Sequence, residues 1–220
     1  IMENITNHYN VSKKDAKEQA EKMLELVGIP DPALCLKKYP HELSGGMRQR
    51  VMIAIALSGK PEVLIADEPT TALDVTIQAQ IIDLMKDIQK KLGTTILLIT
   101  HDLGVVANIA DRIVVMYSGK VMEKGTCEEI FFGHRHPYTW ALLNAAPSLE
   151  LERKQQLFSI EGTPPDLIHP PKGCPFAERC KYCMSICTEV EPPEYEFEDG
   201  HKACCWLYHP QSEYREIDFS

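Results

Sequence analysis

The chain has 220 residues, 44% apolar and 25% charged, which is an ordinary globular composition with room for one sizeable core or two smaller ones. A net charge of -9 argues against wrapping a nucleic-acid backbone, which needs clustered Lys and Arg. No apolar run approaches the roughly 18 residues that cross a bilayer, and no basic segment leads into an apolar one as in a secretory signal. The first residue is Ile1 rather than Met, which suggests a fragment.

Residues 13–27 place Ala16, Ala20, Met23, Leu24 and Val27 at helical spacing under a charged remainder, which predicts an amphipathic helix closed by Gly28 and Pro30. After a loop through Pro32 and Pro40, Ser44 opens a second predicted helix over about 46–57, stopped by Gly59 and Pro61. EVLIADEP, 62–69, is short, apolar and bounded by prolines, and it reads as a buried strand. A long helix is predicted over 76–92, with Ile77, Ile81, Leu84, Met85 and Ile88 on one side. TTILLIT, 94–100, reads as a second buried strand, with His101 and Asp102 directly after it. A short helix at 103–110 precedes IVVMYSGKVMEKG, 113–125, a predicted hairpin turning at Ser118-Gly119. Strand, helix, strand, helix in this order implies an α/β fold with a mostly parallel sheet. Past Phe132 the composition changes. A helix is expected over 137–146, then proline, cysteine and acidic residues dominate, which puts a domain boundary near 131.

Asp67 and Glu68 finish the first predicted strand and His101 follows the second, so all three fall at one edge of the sheet. Ligands of open parallel sheets bind beyond the carboxyl ends of strands. The plainer reading is that these are turn residues ending two strands. Ser44 is a good N-cap, and Gly45 and Gly46 let backbone N–H groups approach an anion at the helix start. A simple capped helix is the alternative there. Cys35 and Cys127 stand alone, whereas Cys174, Cys180, Cys183, Cys187, Cys204 and Cys205 crowd the last fifth. That crowding suggests disulfides in a secreted protein, and metal or redox chemistry in a cytosolic one.

Four of these features together resemble the ATP-binding subunits of ABC transporters. LSGGMRQR (43–50) resembles the family signature, VLIADEP (63–69) the Walker B strand and TALD (71–74) the D-loop, while His101 sits where the family has its switch histidine. The resemblance implies a partial P-loop NTPase core: a helical signature subdomain over 1–60, the C-terminal half of the core over 61–130, and a cysteine-rich C-terminal extension over 131–220. It implies that Asp67 holds Mg²⁺, that Glu68 is the general base, that His101 contacts the γ-phosphate and that Asp74 couples two nucleotide sites. In the family's head-to-tail dimer, Ser44, Gly45, Gly46 and Gln49 would bind ATP held by the partner's P-loop. No G-x-x-x-x-G-K-[ST] is present, because Gly59-Lys60 is followed by Pro61 and Gly119-Lys120 by Val121. The family places that loop upstream, so the front of the core is expected to be missing and the isolated chain to bind ATP weakly or not at all.

HPYTWALLNAAP (136–147) and GCPFAERC (173–180) resemble the C-terminal extension of dipeptide and oligopeptide importer ATPases, a branch that includes nickel importers. LSGGMRQRVMIAIAL resembles the subunit type that pairs with a second, different ATPase. The implied partners are that second ATPase, two transmembrane permease subunits and, indirectly, a substrate-binding protein, at the cytoplasmic face of a bacterial membrane. His136-Pro137-Tyr138 has no evident chemistry and reads as a helix start with Pro near its first turn. Cys174, Cys180, Cys187 and Cys204 match the extension's C-x5-C-x6-C-x16-C pattern. Four thiolates suit a [4Fe–4S] cluster or Zn²⁺, and such wide spacing is less typical of zinc, whose ribbons use C-x2-C pairs. Reduced thiols packing a small core are the remaining reading. Cys183 and Cys205 lie outside the pattern and leave the ligand assignment open. Two other functions compete: a soluble ABC ATPase of DNA repair or translation, against which the HPY and CPFAERC stretches argue, and a metal-binding interaction module without activity of its own.

Overall fold

The computed structural model describes residues 1–71, 73–145 and 159–212, and the chain divides between Val105 and Val106 into two units. Ala72, inside the expected D-loop, and Ala146 and Pro147, at the end of the HPY stretch, lie outside the described residues.

The first unit holds α1 (Met2–His8), α2 (Lys13–Leu26), α3 (Pro32–Cys35), α4 (Gly45–Leu57), β1 (Val63–Asp67), α5 (Val75–Leu92) and β2 (Thr95–Ile99). Helix α2 starts where the Ser12 side chain accepts a hydrogen bond from the Asp15 backbone, and Ala16, Ala20 and Leu24 form its buried stripe. The two alanines leave room for Ile5 of α1, a helix absent from the sequence reading because it offers a single buried residue. Arg50 of α4 donates to the Val27 carbonyl just past α2 at 2.6 Å, which satisfies an orphan acceptor at a helix end.

Helix α5 is capped by Asp74, whose carboxylate accepts from Ile77 N–H at 3.0 Å, and it buries Ile81, Ile82, Met85 and Ile88 on one side. It is the crossover between β1 and β2, which pair in parallel with Val63 opposite Thr95 and Asp67 opposite Ile99. The expectation that both strands are buried needs correction. Ile65 is 64% exposed and Leu97 52%, because the two-stranded sheet carries no second layer over that face among the described residues. Gly46 has a packing role as well: a Cβ there would lie 2.8 Å from Ile77 Cγ2, so α4 and α5 approach too closely for a side chain.

Helix α6 (Leu103–Ile109) runs across the division. The second unit then holds β3 (Arg112–Tyr117), β4 (Lys120–Thr126), α7 (Cys127–Phe132), α8 (Pro137–Ala145), α9 (Ser185–Glu189), β5 (Glu194–Glu196) and β6 (Lys202–Cys204). Its strands form an antiparallel sheet in the order β3-β4-β6-β5. The β3–β4 hairpin turns at Ser118 and Gly119, both with positive φ, as a two-residue turn matching strand twist requires. Strand β6 pairs with β4, Glu123 opposite Ala203, so the sheet runs across the boundary expected near 131.

Tyr117, Met122, Phe176 and Ala177 form the centre of this unit's core, with Cys174 and Cys187 among them. A Cβ on Gly173 would lie 2.1 Å from the Cys187 carbonyl oxygen, and that same oxygen accepts from Cys174 N–H at 2.7 Å. Backbone contact, with no side chain between, is what joins these two cysteine segments.

Candidate functional site

Two clusters of chemistry stand out, one in each unit. In the first, β1 ends at Asp67 and Glu68 follows in the left-handed region at φ +44°, a conformation that costs a non-glycine residue of order 1–2 kcal/mol. The bend is held because Glu68 N–H donates to the Ile99 carbonyl at the end of β2, at 2.8 Å, and Pro69 comes next. It turns the Glu68 carboxylate onto His101: Oε1 lies 2.9 Å from His101 Nδ1. Oε2 accepts from the Thr71 hydroxyl at 2.6 Å. The Thr71 bond, then the His101 bond, hold the Glu68 carboxyl below its usual range, so it is an ionised acceptor and Nδ1 of His101 carries the shared proton.

The segment bearing His101 is itself fixed. Gln78 of α5 donates to Asp102 Oδ2 at 2.7 Å, and Asp102 Oδ1 caps α6 at Val105 N–H. The Gln78 bond is the main reason the Asp102 carboxyl is held below its usual range. Thr71 and Gln78 are the partners the sequence reading missed. Thr71 stands three residues after Glu68, an ordinary turn spacing that gives no signal until the backbone bend is known.

The other expected residues are placed differently. The exposed Asp67 carboxylate makes no hydrogen bond or ion pair among the described residues, leaving its oxygens available to a hydrated cation. Asp74 and Ser44 act as helix caps, Ser44 accepting from Met47 N–H at 3.3 Å. Gly45, Gly46 and Gln49 lie on the first turns of α4, all part-buried.

The second cluster is built on β4, the segment before α8, and the tail. Glu123 is fully buried, and its carboxylate accepts from the backbone N–H groups of Arg135 and His136 and from His201 at 2.7 Å. Arg135 lies over the Phe197 ring and pairs with Asp199 at 2.8 Å. Glu123 thus fixes the start of the His136-Pro137-Tyr138 stretch, and burial pushes the His136 ring down to about 4.

Beside it is a cavity of about 10 Å³ lined by Cys174, Cys180, Cys187 and Cys205, together with His136 and Phe176. Cys204 is not on its wall. It ends β6 opposite Glu194, with Lys124 and Glu191 as its other charged neighbours, and successive residues of an extended segment point to opposite sides. The expected fourth thiol, Cys204, is therefore replaced on the cavity wall by Cys205. Exposed Cys183 is not on the wall either. Burial pushes the thiols of Cys174 up to about 11 and Cys180 to about 12, and raises Cys205 further, so all three are neutral without a cation beside them. Among the described residues no three His, Cys, Asp or Glu side chains converge as metal ligands. Thiols are the donor type that suits a soft ion, but these do not converge on one point, so holding any cation there requires them to rearrange.

The family described as "ABC transporter" matches residues 2–71, and "Oligopeptide/dipeptide transporter, C-terminal region" matches 122–187. The oligopeptide transport ATP-binding protein OppD of Bacillus subtilis is 57% identical over 96% of this chain and 59% of its own length. The dipeptide transport ATP-binding protein DppD of the same organism is 54% identical over 96% of this chain and 63% of its own. Residues 2–71 thus match the ABC transporter family, and most of the chain is similar to ATP-binding proteins of peptide transport. OppD of Escherichia coli is 50% identical over 94% of this chain and 60% of its own length.

The chain spans about three fifths of the length of the curated relatives it matches. The two family matches also divide the chemistry. The first includes Ser44, Gly45, Gly46, Asp67 and Glu68; the second includes Glu123, His136, Cys174, Cys180 and Cys187. The second stops before Cys204 and Cys205, so the choice between them rests on the geometry of the cavity. No helix among the described residues is long and apolar enough to cross a membrane.

Proposed function

We propose that this chain supplies the hydrolytic edge of an ATPase that powers peptide uptake through an ABC importer. The observation that carries this reading is the Glu68–His101 pair, 2.9 Å apart at the carboxyl edge of a parallel sheet and directly after Asp67. Glu68 is ionised and each of its oxygens keeps a lone pair, so it can orient water and take a proton from it. His101, donating from Nδ1 to Glu68, leaves Nε2 exposed, where it would donate to a γ-phosphate oxygen once the ring carries a second proton. Asp67 would hold Mg²⁺, which when bound neutralises charge on the phosphates. Ser44, Gly45 and Gly46, with Gln49 on the same helix, would face ATP held by a partner subunit, where the helix start favours an anion. Asp74 would link the two sites through the start of α5.

These 220 residues contain no G-x-x-x-x-G-K-[ST], so the phosphate cradle comes from residues outside them. The relatives' names, oligopeptide and dipeptide transport, support peptide over nickel as cargo. The match to the oligopeptide/dipeptide C-terminal region supports an importer over a soluble ATPase of DNA repair or translation. The partners are then a second ATPase subunit, two permeases and a substrate-binding protein, with this chain at the cytoplasmic face of a bacterial membrane. The test is ATPase activity. The purified chain should bind ATP weakly or not at all, whereas a chimera joining it behind a P-loop-bearing segment of the Bacillus subtilis relative should bind and hydrolyse it. A chimera that binds ATP without turnover, or tight binding by the chain alone, would overturn this reading.

For the second cluster we propose a soft-metal site made by Cys174, Cys180, Cys187 and Cys205, with a [4Fe–4S] cluster as its first candidate and Zn²⁺ as its second. Four soft donors from distant segments staple a region whose helices and strands are short. Cys205→Ser should lower bound iron or zinc at least tenfold after anaerobic purification, while Cys204→Ser should leave it unchanged. The reverse pattern would return the ligand role to Cys204.

A further inference from the structure

The His101 side chain is 79% exposed, so packing does not hold it, yet its Nδ1 lies 2.9 Å from Glu68 Oε1. An exposed ring keeps one orientation only where the backbone beneath it is fixed. Ahead of His101, β2 ends at Ile99, whose carbonyl is bonded to Glu68 N–H. Behind it stands Asp102. The Asp102 N–H donates to Thr100 Oγ1 at 3.1 Å, which closes a turn around His101. Asp102 Oδ1 accepts from Val105 N–H at 3.1 Å, and Gly104 leaves room for this, since a Cβ there would lie 3.2 Å from the same oxygen. Asp102 Oδ2 accepts from the Gln78 side-chain amide at 2.7 Å, from 24 residues earlier in the chain. Of these bonds only the last leaves the local segment. Gln78 is also tied to the start of its own helix, where its N–H donates to the Asp74 carbonyl at 2.8 Å. One residue thus joins the beginning of α5 to the turn that carries His101. Holding a glutamine costs rotamer freedom, and an amide bonded to a carboxylate is among the stronger hydrogen bonds that can offset it.

We propose that Gln78 is a positioning residue for His101: by fixing Asp102 it sets the turn from which the imidazole meets Glu68, and it makes that meeting depend on where the start of α5 lies. The inference rests on the ATPase reading, in which Glu68 and His101 act on water and the γ-phosphate, and adds how their alignment is kept. Among the described residues no hydrogen bond runs from Gln78 to either of them. The effect of Gln78 therefore falls on turnover and not on nucleotide affinity, because a misplacement of about 1 Å can cost roughly a hundredfold in rate. A bond that merely fastened α5 to the turn would show no such selectivity.

The experiment compares Gln78→Glu with the double exchange of Gln78→Glu and Asp102→Asn. The single change sets two carboxylates face to face. The double change restores an amide-to-carboxylate bond with the donor on the other side, and the asparagine oxygen still accepts from Val105 N–H. Glutamate forms helix as well as glutamine does and is favoured near a helix start, so neither protein should lose α5, and far-ultraviolet circular dichroism checks this. In the full chain, nitrogen-15 NMR of the imidazoles at about pH 8, where an ordinary ring is neutral, reads which nitrogen of His101 carries the proton. The His101 signal is assigned by its loss in His101→Gln. Parent and double exchange should show the Nδ1–H form, and the single exchange mainly the Nε2–H form that a free ring prefers. In the P-loop-bearing chimera the single exchange should lower kcat roughly ten- to a hundredfold with KM for ATP within a few-fold, and the double exchange should recover most of that loss. A single exchange that leaves both tautomer and kcat unchanged, a double exchange that recovers neither, or a parent already in the Nε2–H form would overturn the proposal. A parent chimera that binds ATP without turnover would overturn the ATPase reading instead, and the tautomer measurement would still decide whether Gln78 holds His101.

Discussion

Replacing Glu68 by glutamine in the P-loop-bearing chimera is expected to lower ATP turnover roughly 10²- to 10⁴-fold while leaving ATP binding in place. The geometry explains why the effect falls on chemistry rather than on folding. The Glu68 side chain is exposed, and glutamine suffers the same strain at φ +44°, so the backbone bend pinned to the Ile99 carbonyl is unchanged. Glutamine's oxygen still accepts from Thr71. Its amide nitrogen, however, cannot take a proton from water, and it meets the Nδ1–H of His101 donor to donor unless the imidazole changes tautomer. Loss of the base and disorder of the histidine therefore come from one atom. Phosphate release and equilibrium nucleotide binding, measured on the same preparation, separate the two effects. Turnover within a few-fold of the parent would remove Glu68 from the role of base.

How far the sequence disclosed this edge depends on the scale of the interaction. Helix α5 was readable to within a residue because an Asp cap, an apolar stripe and a terminal glycine all agree on its limits. Both core strands were readable in position, since each is short, apolar and followed by a break. Their half-exposure was not, because a two-faced apolar strand carries no mark of which layers cover it in these 220 residues. Gly46 shows the same limit. The pair of glycines suggested an approach to phosphate, yet the 2.8 Å clearance to Ile77 gives one of them a packing reason that only tertiary structure supplies. The tail was the least legible part. Its strands β5 and β6 are three residues each, too short for periodicity, and β6 finds its partner 70 or more residues away in β4. Spacing alone could not choose between adjacent Cys204 and Cys205. Strand alternation puts Cys205, and not Cys204, on the cavity wall once β6 is known.

That long-range pairing also identifies the most sensitive residue of the second unit. Glu123→Ala is expected to cost about 3–5 kcal/mol, the range for removing one member of a buried, hydrogen-bonded polar set. Glu123 is wholly buried, so its loss strands the backbone N–H groups of Arg135 and His136 together with Nε2 of His201. Glu123→Gln should fall between the parent and alanine, because one oxygen remains while the amide opposes one of the three donors. Both tryptophans, Trp140 and Trp206, lie in this unit, so fluorescence-detected urea unfolding reports on it selectively. With a slope of about 1–3 kcal/mol per molar, the alanine midpoint should drop by at least roughly 1 M. The effect should also reach the cysteines, since the carboxylate that ties β4 to His201 is the one that positions His136 on the cavity wall. An alanine midpoint within about 0.3 M of the parent would show that the buried set is dispensable, and that packing around Phe176 alone holds the extension together.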